Sequence, residues 1–66
     1  MKNKVADFRK ENRLSQEELA NMVGVSRQTI TSIETGKYVA SLPLAFKLAK
    51  FFDCMIEDIF MMDEED

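Results

Sequence analysis

Apolar residues in this chain recur at spacings of three and four, and no stretch alternates with a period of two for long enough to read as a strand. The pattern predicts helices throughout. The first runs from residue 2 to residue 11 or 12, with Val5 and Phe8 marking its inner face. Ser15-Gln16-Glu17-Glu18 then forms an S-x-x-E capping box, in which the Ser15 hydroxyl accepts from the amide of residue 18 and the Glu18 carboxylate accepts from the amide of Ser15. Leu19, Met22 and Val23 follow at helical spacing, and Gly24 ends this second helix with the positive φ that a residue with a Cβ resists. Ser26 caps a third helix that reaches about Thr35, and Gly36 stands where a helix stop belongs. Ser41 caps a fourth, with Pro43 in its first turn, where a missing N–H costs nothing. Leu44, Ala45, Leu48, Ala49 and Phe52 give that helix its inward face, and a short fifth helix over residues 56–61 closes the chain.

The third helix has an unusual outer face. On a helical wheel of about 100° per residue, Ile30 and Ile33 share one side while Arg27, Gln28, Thr31, Ser32 and Thr35 occupy the other. A surface shaped only by helix propensity and solubility favours Glu, Lys and Ala, whereas three of these five residues are mediocre helix formers. Their chemistry suits base edges instead. Arg bonds guanine bidentately, Gln does the same to adenine, and the Thr methyl fits against thymine.

Charge sharpens this picture once it is divided along the chain. Residues 1–52 hold all nine Lys and Arg against five acids, while residues 53–66 hold seven acids and no base. The overall charge of −3 thus conceals a mildly basic body and an acidic end. At 66 residues the chain allows one domain, expected over residues 1–62, with residues 63–66 as an acidic tail. The single cysteine, Cys54, and the absence of histidine exclude an internal disulfide and a Cys/His zinc cluster, and leave acid–base or nucleophilic catalysis little to use. No apolar run is long enough to span a bilayer, and the amino terminus meets charge too early for a secretory signal. The expectation is a small soluble cytoplasmic protein that is not an enzyme, takes no cofactor or small-molecule ligand and touches no membrane.

The spacing is more specific than the composition. Leu14-Ser15-Gln16-Glu17-Glu18-Leu19-Ala20, then Gly24-Val25-Ser26-Arg27-Gln28-Thr29-Ile30, then Ile33-Glu34-Thr35-Gly36-Lys37 resembles the helix-turn-helix of the Cro and phage-repressor type, the XRE family of regulators. The segment from Leu44 through Phe60 is similar to the closing helices of its short members. The resemblance covers residues 3 to about 60 and implies an all-α, five-helix, lambda-repressor-like DNA-binding domain whose third helix enters the major groove. It implies base contacts from Arg27, Gln28, Thr31 and Ser32, and phosphate contacts from Gln16, Thr35 and Lys37. It also implies an ion bridge between Arg9 and Glu34 that joins the first and third helices.

Three residues depart from the family pattern. Thr35 stands where Asn is common, Asp53 where Gly often follows the fourth helix, and Met55 where Ser or Thr often caps the fifth. The missing cap predicts a carboxyl-terminal helix prone to fray. Cys54 reads as a small filler, since no base adjacent in sequence lowers its pKa. The function expected is a sequence-specific double-stranded DNA-binding regulator, a repressor, acting as a weak homodimer on an inverted-repeat operator. The rival is a protein-interaction module, such as an antitoxin or anti-repressor component, that keeps the fold; the face of the third helix favours DNA and the overall acidity favours the rival.

Overall fold

Each predicted cap does the work assigned to it. The computed structural model describes residues 1–62 and contains α1 (Val5–Glu11), α2 (Gln16–Val23), α3 (Arg27–Glu34), α4 (Leu42–Phe51) and α5 (Ile56–Ile59). The Ser15 Oγ accepts from the Glu18 amide at 3.0 Å and the Glu18 carboxylate accepts from the Ser15 amide at 2.9 Å, which closes the capping box. The hydrogen bonds to Ser15 hold the Glu18 carboxyl below its ordinary pKa. Ser26 and Ser41 likewise accept from the third amide onward, those of Thr29 and Leu44. Gly24 takes φ 75° and ends α2, so that only Gly24, Val25 and the cap Ser26 separate α2 from α3.

Both chain ends differ from expectation. Lys2–Asn3 is a two-residue strand, β1, paired antiparallel with β2, Phe60–Met61. The first helix therefore begins at Val5 rather than Lys2, and the fifth ends at Ile59 rather than Met61. Asn3 explains the first shift. Its side-chain oxygen accepts from the Val5 amide at 3.1 Å, and its amide nitrogen donates to the Ile33 carbonyl at the end of α3 at 2.8 Å. The Lys4 amide, 2.7 Å from the Ile59 carbonyl, continues the tie. The expected acidic tail, residues 63–66, lies outside the described residues.

The core gathers Val5, Leu19, Ala20, Val23, Ile30, Ile33, Leu44, Leu48, Ala49 and Ile59, with Phe8 and Phe52 packed against it at a ring separation of 5.4 Å. Met22 does not join it and is 64% exposed. Leu19, Ala20 and Val23 set the buried side of α2, and Met22 lies about 110° of wheel rotation from its centre. Spacing alone hid this, because Met22 follows Leu19 by three.

At the carboxyl end Asp53 takes φ 55°, the left-handed conformation that Asp tolerates and Gly would accept more readily. Met55 caps α5 with no side-chain bond, although the Asp58 carboxylate accepts from its amide at 2.9 Å. Half of a capping box is thus present. Met55→Ser is expected to complete it and raise stability by about 1 kcal/mol, or several degrees in Tm. A thermal melt beside the parent chain checks this. Cys54 is half-buried, and burial, followed by the charges of Asp58 and Asp53, pushes its thiol pKa up. That keeps it a poor nucleophile, in line with a filler.

Candidate nucleic-acid interface

The pairing of α2 with α3 builds the surface. Ala20, 1% exposed, sits at the α2–α3 corner because a larger side chain there would push the two helices apart. Leu19 and Val23 meet Ile30 and Ile33 behind it, which turns the polar face of α3 outward. Arg27 and Gln28, in the first turn of α3, are exposed; Thr31 and Ser32, one turn on, are half-buried. Among the described residues the side chains of Arg27, Gln28 and Ser32 have no intramolecular hydrogen-bond or ion-pair partner. Gln28 and Ser32 line a shallow groove with Ser26, Thr29 and Tyr38. Tyr38, in the loop after α3, therefore stands beside two of the expected base-contact residues.

A connected polar network lies behind this face. The Arg9 guanidinium reaches the Glu34 carboxylate twice, at 2.7 and 3.1 Å, and donates a third bond to the Leu14 carbonyl at 2.9 Å. The expected bridge between α1 and α3 is present, with the two side chains 13% and 7% exposed. Burial raises the Glu34 pKa, but the hydrogen bonds from Arg9 and Gln16, aided by the charges of Arg9 and Lys10, outweigh it and hold the carboxyl below its ordinary value. Bonding to Glu34, against the opposing effect of burial, raises the Arg9 pKa.

Two of the expected phosphate ligands have internal partners. Gln16 donates its amide to Glu34 at 3.0 Å and accepts from the Thr31 hydroxyl at 2.9 Å. Thr35 turns its hydroxyl back on α3, toward the carbonyls of Thr31 at 3.0 Å and Ser32 at 3.2 Å. Lys37 is exposed just past the end of α3. Two cations that the sequence reading missed stand nearby. Lys2 and Lys4 line a groove with Glu34, Thr35 and Gly36, because the β1–β2 ribbon holds the amino terminus against the end of α3. No local spacing could reveal them, since the strand partner of Lys2 is Met61.

Among the described residues, no group of three or more His, Cys, Asp or Glu side chains converges as a metal site would require. Among the same residues, no helix is long and apolar enough to cross a membrane.

With this geometry in view, comparison with known proteins is decisive. The helix-turn-helix family profile matches residues 5–59, from the first residue of α1 to the last of α5. The chain belongs to the XRE-type helix-turn-helix family. An uncharacterised HTH-type transcriptional regulator of Methanocaldococcus jannaschii is 56% identical over the full length of both chains. The regulator YgzD of Bacillus subtilis is 51% identical over 98% of each. The cryptic phage CTXphi transcriptional repressor RstR of Vibrio cholerae is 39% identical over 85% of this chain and half of its own length. As a helix-turn-helix protein with relatives of this kind, the chain is a DNA-binding transcriptional regulator. In this family member the helix-turn-helix is α2, the Gly24-Val25 turn and α3.

Proposed function

We propose that this regulator is a sequence-specific repressor that reads double-stranded DNA with α3 in the major groove. One observation carries the reading: Arg27, Gln28 and Ser32 form an outward polar face whose side chains, among the described residues, have no partner of their own. Leaving such groups unpaired costs little in water and makes them available to base edges. Arg27 suits a guanine and Gln28 an adenine, while Gln16 and Lys37 hold phosphates and so fix the register; Thr35 joins them by turning its hydroxyl proton from the α3 carbonyls to a phosphate. Lys2 and Lys4 add charge at the same end of α3. Repression is the mode of the phage relative RstR, and occlusion of a promoter asks for nothing beyond tight binding.

A single α3 offers few base contacts, so the specific complex is a dimer on two half-sites about 34 Å apart. Exposed Val39 and Leu42, in the approach to and first turn of α4, and Phe46 on the same helix provide apolar surface for a second copy. Selection from a random duplex library, followed by titration at two salt concentrations, tests the proposal. Recovery of an inverted repeat whose affinity falls as salt rises is expected. Recovery of no motif, with weak salt-sensitive binding alone, would favour the protein-interaction module.

Lys37→Ala should weaken binding to all duplexes alike and reduce the slope of log affinity against log salt by about 1, as the loss of one phosphate contact does. A sequence-dependent loss would move Lys37 out of the phosphate set.

A further inference from the structure

Thr31 shares its face with the base-contact residues, yet its hydroxyl points elsewhere. The Thr31 Oγ1 donates to the Gln16 Oε1 at 2.9 Å, with the Arg27 carbonyl a longer second acceptor at 3.2 Å. On the other side of Gln16, Nε2 donates to Glu34 Oε1 at 3.0 Å. A carboxylate only accepts, so the Gln16 amide has one orientation that satisfies both neighbours: nitrogen toward Glu34 and oxygen toward Thr31. Rotated by half a turn, it would set oxygen against a carboxylate.

The amide has two N–H groups and Glu34 takes one, which leaves one donor free. Its oxygen, the atom that would repel a phosphate, is turned toward the Thr31 hydroxyl. We propose that Thr31 is a positioning residue for Gln16: with Glu34 it clamps the carboxamide between α2 and α3, so that Gln16 meets a phosphate as a donor. Thr31 then contributes to affinity without reading a base. This inference rests on the proposed DNA-binding function and reassigns one residue within it.

The substitution that tests it is Thr31→Val, which removes the hydroxyl while keeping side-chain shape and helix propensity nearly constant. Thr31→Val is expected to lower affinity about three- to tenfold, in keeping with the freedom returned to one long side chain, and by the same factor on the selected operator and its single-base variants. Thr31→Ser, which keeps the hydroxyl, should restore affinity. In a Gln16→Ala background Thr31→Val should have no further effect, a coupling that a merely structural role would not produce. In the DNA-free protein, the two Gln16 side-chain amide proton resonances should be well separated and move together in Thr31→Val.

A loss in Thr31→Val confined to one base pair would overturn the positioning role and return Thr31 to base contact. So would a full loss that persists without the Gln16 side chain. A parent chain that bound no duplex would overturn the proposed function and this role with it. A parent that binds while Thr31→Val binds equally well would overturn this role alone.

Discussion

Glu34→Ala is expected to lower the stability of the domain by about 2–4 kcal/mol, a large share of the total for a chain this small. The loss exceeds that of an ordinary surface pair because Glu34 accepts from both Arg9 and Gln16, and neither partner has an equivalent replacement. The Arg9 side chain is only 13% exposed, so its charge would be left in a poorly hydrated place. Chemical denaturation should show the midpoint falling with little change in slope. Glu34→Gln keeps an acceptor but no charge and should lose about half as much. The acid limb gives a second check. A carboxyl with a lowered folded pKa contributes fully above the ordinary carboxylate range, and its contribution is lost as pH falls through the folded value. Stability should therefore drop below about pH 4.5 more steeply in the parent than in Glu34→Ala. Equal acid sensitivity in the two chains would assign the effect to other carboxyls, Glu18 among them.

Arg27→Ala is expected to act on binding alone. Arg27 is the first residue of α3, exposed, with no side-chain partner among the described residues, so its removal should leave the melt within about 0.5 kcal/mol of the parent. On the selected operator the loss should be about 1–3 kcal/mol, or roughly fivefold to over a hundredfold, and should shrink on a duplex altered at the base pair that Arg27 reads. That cross-over separates it from Lys37→Ala, whose effect should be alike on every sequence. If the Arg27→Ala loss were the same across all single-base variants, Arg27 would be a phosphate ligand and α3 would lie differently in the groove.

Local chemistry made the helical frame readable. The three serine caps, Gly24 and the Ile30/Ile33 stripe each act over one turn, and each does in the fold what its position suggests. The Arg9–Glu34 bridge came from family resemblance rather than from spacing, since its partners are far apart in the chain. What stayed hidden depends on contacts across the fold. Strands of two residues are too short to show alternation, and Asn3 gives no sign that its amide will find the Ile33 carbonyl. The candidate site was legible as a set of residue types on one helix face. It was not legible that Gln16 and Thr31 bond each other, because that needs the crossing of α2 over α3.

The β1–β2 ribbon also orders events in folding. Pairing Lys2 with Met61 closes almost the whole chain into a loop, an entropically demanding contact, whereas α2 and α3 meet across only a short turn. The ribbon is accordingly the last piece to close and the first to open, with few bonds to oppose its opening. When it opens, the Asn3 amide leaves the Ile33 carbonyl and Lys2 and Lys4 leave the side of Thr35. The end of α3 is then held by the Arg9–Glu34 bridge without help from the ribbon, so β1 and β2 act as a latch on the helix proposed to face DNA.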